Sequence, residues 1–353
     1  MPGLPRRRLF RIAAALAASG ALPGGALASL LAAGPARAAD GGAADGSAAD
    51  DGARAPALTA MLRHRLLVAS LYRLAVSRDY AGDGAAGANR AGYRWIEEQR
   101  QGVEWIVRGY ATRNPEWLRL GWSQLDWGLA RQQGDGGFGS EDPFHSSSFF
   151  VEALARACLI DPAGASPARV AGLARAAAWL MSAPVEERGA KSNQPYTHRR
   201  YILAAAFGQA AKVTGEKRFG QHAGQWLREG LALQQADGTN PEKGGFDAGY
   251  QMVGVLMALR YLPVCDEAAL RARVRAMVRR AVPPELARQR ADGSIDPGGS
   301  TRIELEHARS GQLKDVPYGE IMQALVYGAQ ALPEPAWVEP AQRIAQARHW
   351  LRA

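Results

Sequence analysis

The chain has 353 residues, 47% of them hydrophobic, and 43 Lys and Arg against 34 Asp and Glu, a formal charge of +9. Five arginines and no acid lie in residues 1–38, so the other residues carry +4, too mild for a nucleic-acid binder but suited to an acidic polymer. Cys158 and Cys265 are in no C-x-x-C spacing, and the six histidines form neither H-x-H nor H-E-x-x-H, so neither metal nor cofactor is expected.

Residues 1–38 read as a signal peptide, with a basic start at Arg6–Arg8, an Ala/Gly/Leu run from Ile12 to Ala33, and Ala36-Arg37-Ala38 as the cleavage site. Arg7-Arg8-Leu9-Phe10 resembles the twin-arginine export motif, which predicts a periplasmic or secreted protein. The apolar run is broken by Gly20, Pro23, Gly24 and Gly25, and no other segment reaches the ~20 apolar residues that span a bilayer. Residues 39–55 are small and polar, a flexible leader. Residues 56–353 then form one domain.

From Leu58 onward apolar residues recur at three and four, as in Leu62, Leu66, Leu71 and Leu74. This spacing predicts helices over 57–77, 89–112, 115–133, 145–159, 167–182, 198–214, 217–235, 247–262, 266–282, 316–331 and 337–352, with no strand, so the fold class is all-α. The segments Gln132-Gln133-Gly134-Asp135-Gly136, Gln234-Gln235-Ala236-Asp237-Gly238 and Gln289-Arg290-Ala291-Asp292-Gly293 form a weak repeat in which a helix ends in an Asp-Gly turn. Hairpins repeated in this way, with long loops at one end, predict an α/α toroid: inner helices ring a cleft lined by the loops and by the helix starts. An open solenoid is the alternative. In an oxidising compartment the two cysteines either pair or stay as buried thiols.

Three segments gather polar and aromatic residues where that cleft is expected: Asp135–Ser148 with His145, Ser192–Tyr201, and Asp237–Gln251. The second reads Ser192-Asn193-Gln194-Pro195-Tyr196-Thr197-His198-Arg199-Arg200-Tyr201, and the third carries Asp237, Glu242, Asp247 and Tyr250. In order and spacing, residues 190–262 resemble the toroidal polysaccharide lyases of the alginate-lyase and heparinase-like groups. There an Asn and a His or Tyr open one inner helix, and a Tyr opens the next after a D-G-x-x-x-E loop. Here Asn193 and His198 are five apart with Tyr196 between them, unlike the adjacent pair of the family.

The resemblance implies β-elimination from a uronate-containing polysaccharide by a monomeric enzyme. Asn193 or Gln194, with Arg199 or Arg200, would neutralise the carboxylate, His198 or an ionised Tyr would remove the C5 proton, and Tyr250 would protonate the leaving oxygen. Each residue also has a structural reading: Asn193 as an N-cap, the tyrosines as packing, and the arginines as solvated or paired groups. Near the end of the chain, Arg302 is a candidate carboxylate clamp, and Tyr318 and Glu320 are expected near the cleft.

Two alternatives share the architecture. A glycoside hydrolase would pair Asp135, Glu141 or Asp142 with Asp237, Glu242 or Asp247. A non-catalytic polysaccharide-binding protein would stack sugars on Trp95, Trp105, Trp117, Trp122 and Trp127. Residues 135–145 also resemble the D-G-G-F-G turns of terpene cyclases and prenyltransferase β-subunits, but their acidic cluster and zinc set are not present.

Overall fold

The computed structural model describes residues 96–308, 311–332 and 334–347, together with Leu67, Ser70, Leu71 and Ala85. The signal-peptide and leader readings fall outside these residues, as does nearly all of the helix expected over 57–77, of which Leu67 and Leu71 are core residues. The described residues hold eleven α-helices and no strand. None of these helices is long and apolar enough to cross a membrane.

The helices come largely as hairpins. α1 (Gln101–Thr112) pairs with α2 (Pro115–Leu129), and α3 (Pro143–Ile160) with α4 (Pro167–Leu180). After the short α5 (Ala183–Asn193), α6 (Thr197–Thr214) pairs with α7 (Lys217–Leu233), α8 (Tyr250–Tyr261) with α9 (Ala268–Leu286), and α10 (Tyr318–Ala331) with α11 (Val338–Ala347). The first helices of successive hairpins also pack on one another, α1 on α3, α3 on α6, α6 on α8 and α8 on α10.

Sequence decides which helix of a pair lies inside. α6 is buried from Tyr201 to Ala210 and α8 from Gln251 to Tyr261, because both are apolar or small around their whole circumference. α7 buries only a stripe of Phe219, Ala223, Trp226, Leu227 and Leu231 and turns its charged residues outward.

Ionic groups from several first helices meet deep in this packing. Arg156 of α3 bonds Glu104 of α1 at 2.8 Å and Glu152 of its own helix at 2.9 Å. Arg260 of α8 reaches Glu104 at 3.3 Å and Gln323 of α10 at 2.8 Å, and Gln209 of α6 donates to Glu152. Burial alone would raise the Glu104 carboxyl, but the two arginines outweigh it and hold Glu104 below the usual carboxylate range. A dry network of this kind costs desolvation and is tolerated because its two acids and two bases answer one another.

The Asp-Gly repeat is a docking device. Gly136, Gly238 and Gly293 take φ of 97, 91 and 83°, and a Cβ on them would lie 2.6, 2.1 and 2.6 Å from the backbone oxygens of Arg175, Arg280 and Arg343 on α4, α9 and α11. The first Gln of each repeat donates its amide to the backbone of that same helix: Gln132 to Gly172, Gln234 to Met277 and Gln289 to Pro340. Arg175, Arg280 and Arg343 donate back to the three Gln Oε1 atoms. Each turn therefore fastens one second helix to the next.

Three expectations are corrected. α5 runs through Ser192 and Asn193, where a loop was expected, because its polar sequence has one buried apolar side chain, Val185, and hence no periodicity to read. Asn193 accordingly ends a helix and is not an N-cap. α9 continues past Pro283 and Pro284 to Leu286: prolines lose donors but still accept, and Ala287 N–H donates to Pro283 O at 3.0 Å. Of the two readings of the cysteines, the buried thiols are found: Cys158 and Cys265 are both free and buried, and burial pushes the Cys158 thiol up to about 11.

Two glycines separate conformation from docking. Gly238→Ala should destabilise the chain by clearly more than Gly215→Ala, since Gly215 also has positive φ (76°) but nothing within 4 Å of its Cβ position. Urea unfolding of both variants measures the difference; about 1 kcal/mol is expected for the conformational part alone, and equal losses would contradict docking.

Candidate functional site

The site is assembled on the first turns of α3, α6 and α8. His198 opens α6 with its ring 4.6 Å from that of Tyr250 at the start of α8, 6.0 Å from Tyr196 and 6.3 Å from His145 at the start of α3. Helix starts present unpaired backbone N–H groups and partial positive charge, so anionic groups are favoured where they converge.

Glu242 fills that role from the loop before α8. One carboxylate oxygen accepts the His198 backbone N–H at 2.9 Å, and the other lies 2.8 Å from His198 Nδ1. The side chains are 2% and 0% exposed. A carboxylate only accepts, so this bond assigns the proton to Nδ1 and leaves the Nε2 lone pair free for chemistry. The loops are laced together around the pair: Thr197 Oγ1 donates to Pro241 O, Lys243 N–H to Pro195 O, and Thr301 Oγ1 to Glu242 O. Burial lowers the pKa of His198, and Glu242 offsets part of this, while Arg302 and Arg199 push it further down. The imidazole is therefore neutral at neutral pH.

Asp247 positions two neighbours. Its Oδ1 accepts the N–H groups of Gly249 and Tyr250, and its Oδ2 those of Arg302 and Ile303, all within 3.1 Å. With four donors satisfied, it anchors the start of α8 and the backbone of Arg302. The Arg302 guanidinium lies 3.7 Å from the Tyr250 ring centroid and 4.6 Å from that of Tyr196, and bonds Glu242 at 3.4 Å and Glu306 at 3.1 Å. Burial works against its charge, but Tyr250, Glu242 and Glu306 outweigh burial and raise its pKa.

Asn193 reaches this cluster from the end of α5. Its Oδ1 accepts from Arg199, which also pairs with Asp142 at 3.0 Å and lies over the Tyr196 ring, while the buried Asn193 Nδ2 has no hydrogen-bond partner. Burial lowers the pKa of Arg199, with Asp142 opposing it.

Several expected site residues lie elsewhere or are otherwise engaged. Asp135 and Asp237 are turn residues, accepting from Gly137 and Thr239 N–H, and Asp135 also accepts from Trp179. Gln194 is exposed, and Arg200 is used on the carbonyls of Asn193 and Tyr196 at the end of α5. The Tyr318 hydroxyl accepts from Ile295 N–H. Trp105 stacks on Trp117, and Trp122 is held by Asp161. Glu306 and Lys314, which the sequence reading passed over, complete the mouth of the site; they lie on an irregular loop with no periodicity to mark them.

No protein-family model matches the chain, and no curated protein matches it at a significant level.

The site makes stability depend on pH with a definite sign. A histidine whose folded pKa is depressed stabilises above its unfolded value near 6.5, and that stability is lost as pH falls through the folded value. Glu104 and Glu306, also depressed, act only below the ordinary carboxylate range, and Glu285, raised well above it by burial, acts in the opposite direction. All three are common to wild type and a His198→Gln variant. Between pH 7 and pH 5, wild type should therefore lose more unfolding free energy in urea than His198→Gln, and equal losses would remove His198 as a buried neutral base.

Proposed function

We propose that the chain is an exported α/α-toroid enzyme that cleaves an acidic, uronate-containing polysaccharide by β-elimination. The toroid reading is supported by the sequence of first-helix contacts from α1 to α10 and by Arg260 of α8, which reaches back to Glu104 of α1. Export rests on the basic, apolar and Ala-x-Ala pattern of residues 1–38.

The observation that carries the proposal is the buried Glu242–His198 pair with Tyr250 beside it and cationic groups around both. The C5 proton of a uronate is weakly acidic, so its carboxylate must be neutralised before the proton can leave. Arg199 and the free Asn193 Nδ2 supply donors for it, and one well-placed donor is worth about 3 kcal/mol as charge develops. His198 Nε2 takes the C5 proton, the C4–C5 double bond forms, and the C4–O bond breaks as Tyr250 gives its proton to the leaving oxygen. Glu242 holds the imidazole and stabilises the imidazolium formed.

The hydrolase alternative has lost candidates, since Asp135, Asp237 and Asp247 are committed to backbone donors. Of its remaining acids, Asp142 and Glu242 are each paired with a base, which leaves Glu141.

Incubating the protein with uronate and neutral polysaccharides, while following ultraviolet absorbance of the new double bond and reducing ends, tests the proposal. Both should rise together, and His198→Gln and Tyr250→Phe should each lower kcat by roughly 100-fold or more. Asp135→Asn and Asp237→Asn should leave kcat within about twofold, since both carboxylates serve their own turns. Reducing ends without absorbance would mean hydrolysis, and neither signal, with polymer still bound, would mean a binding protein.

A further inference from the structure

Beside the His198–Tyr250 centre a single carboxylate is surrounded by three cations. Glu306 is bonded by Arg302 Nε at 3.1 Å, by Lys314 Nζ at 2.5 Å and by Lys243 Nζ. The same cations face the tyrosines: Lys243 Nζ is 6.0 Å from the Tyr196 ring centroid, Lys314 Nζ 5.4 Å from that of Tyr250, and Arg302 lies over both rings. Arg302 and Lys314 lie with Glu306 on the loop before α10, whereas Lys243 arrives from the loop before α8 with a φ of 50°, a left-handed backbone rarely held by a side chain with a Cβ. Arg302 is shared with Glu242, so three cations face two carboxylates, and Lys243 and Lys314 both converge on Glu306 alone. Glu306 is 22% exposed and Lys243 44%, so the cluster opens to solvent.

We propose that Lys243, Arg302 and Lys314 form a second carboxylate-binding subsite next to the cleavage centre, and that Glu306 is its resident stand-in, displaced when a neighbouring uronate of the polymer enters. This rests on the acidic-polymer reading above. Burial works to raise the Glu306 carboxyl, but Lys243, Lys314 and Arg302 bring it down to about 2, so the stand-in is ionised at any working pH and competes with substrate as one carboxylate with another. A polymer with charges on successive sugars displaces it more readily than a single uronate can, because its other contacts hold the incoming carboxylate at high local concentration.

The test is binding, by titration calorimetry, of oligogalacturonate, oligoalginate and neutral dextran to wild type, Glu306→Gln and Lys243→Ala at low and high salt. Glu306→Gln should bind at least one acidic oligomer about fivefold more tightly at low salt, the weight of one modest ion pair, and lose the gain at high salt. Lys243→Ala, which leaves the backbone bond to Pro195 in place and should melt close to wild type, should weaken the same oligomer several-fold. Glu306→Gln binding no more tightly while melting within about a degree of wild type, or Lys243→Ala binding unchanged, would overturn the subsite. The gain in Glu306→Gln with no cleavage by wild type would keep the subsite and reject the lyase; cleavage with no gain would do the reverse.

Discussion

The bond between Glu242 and His198 is the constraint on which the site depends. A carboxylate without solvent contact carries a desolvation cost of several kcal/mol, which must be offset by donors. Glu242 finds them in His198, through both its backbone N–H and its imidazole, and in Arg302, about a hundred residues further along the chain. One side chain therefore caps a helix, selects the imidazole tautomer and holds the loop that leads to Tyr250. The site is built on helix starts, so its precision comes from packed first helices, with the loops needing only to be laced across them.

Two charged assemblies divide the work along those first helices. The deep one, Glu104, Glu152, Arg156 and Arg260, is balanced and dry, and ties α1, α3 and α8 together. The one at the mouth leaves Arg199, Lys243, Arg302 and Lys314 close to Tyr196 and Tyr250, beside converging helix starts. The overall charge of +9 conveys little of this, because five arginines fall in residues 1–38; local placement makes the mouth attractive to anions.

The helical hairpins were legible because an apolar period of three to four survives in outer helices such as α7, and the inner α6 and α8 are long continuous apolar or small runs. Helix α5 was not, since Glu186 to Asn193 bury little and have no such period. The Asp-Gly repeat could be read as turns, but not as docking devices: each Gln finds its Arg 43 to 54 residues away, a relation set by tertiary packing. At the site, His198, Tyr250 and Asn193 stood out as polar or aromatic residues beside expected helix starts, and Arg302 as a loop arginine. Nothing local separated the buried Glu242 and Asp247 from the turn acids Asp135 and Asp237, because a carboxylate's role depends on which donors the fold brings to it. Glu306 had no signal at all, since its three partners meet only in the folded chain.

The central claim is that burial keeps His198 a neutral imidazole and that Glu242 holds its proton on Nδ1, leaving the lone pair on Nε2. Two-bond nitrogen–proton NMR correlation of the imidazoles at pH 7.5, with Glu242→Gln identifying the His198 signals, tests it directly. The account predicts a neutral ring protonated at Nδ1 that changes when Glu242 is replaced. A ring protonated at Nε2, or an imidazolium, in the wild-type protein at that pH would contradict it.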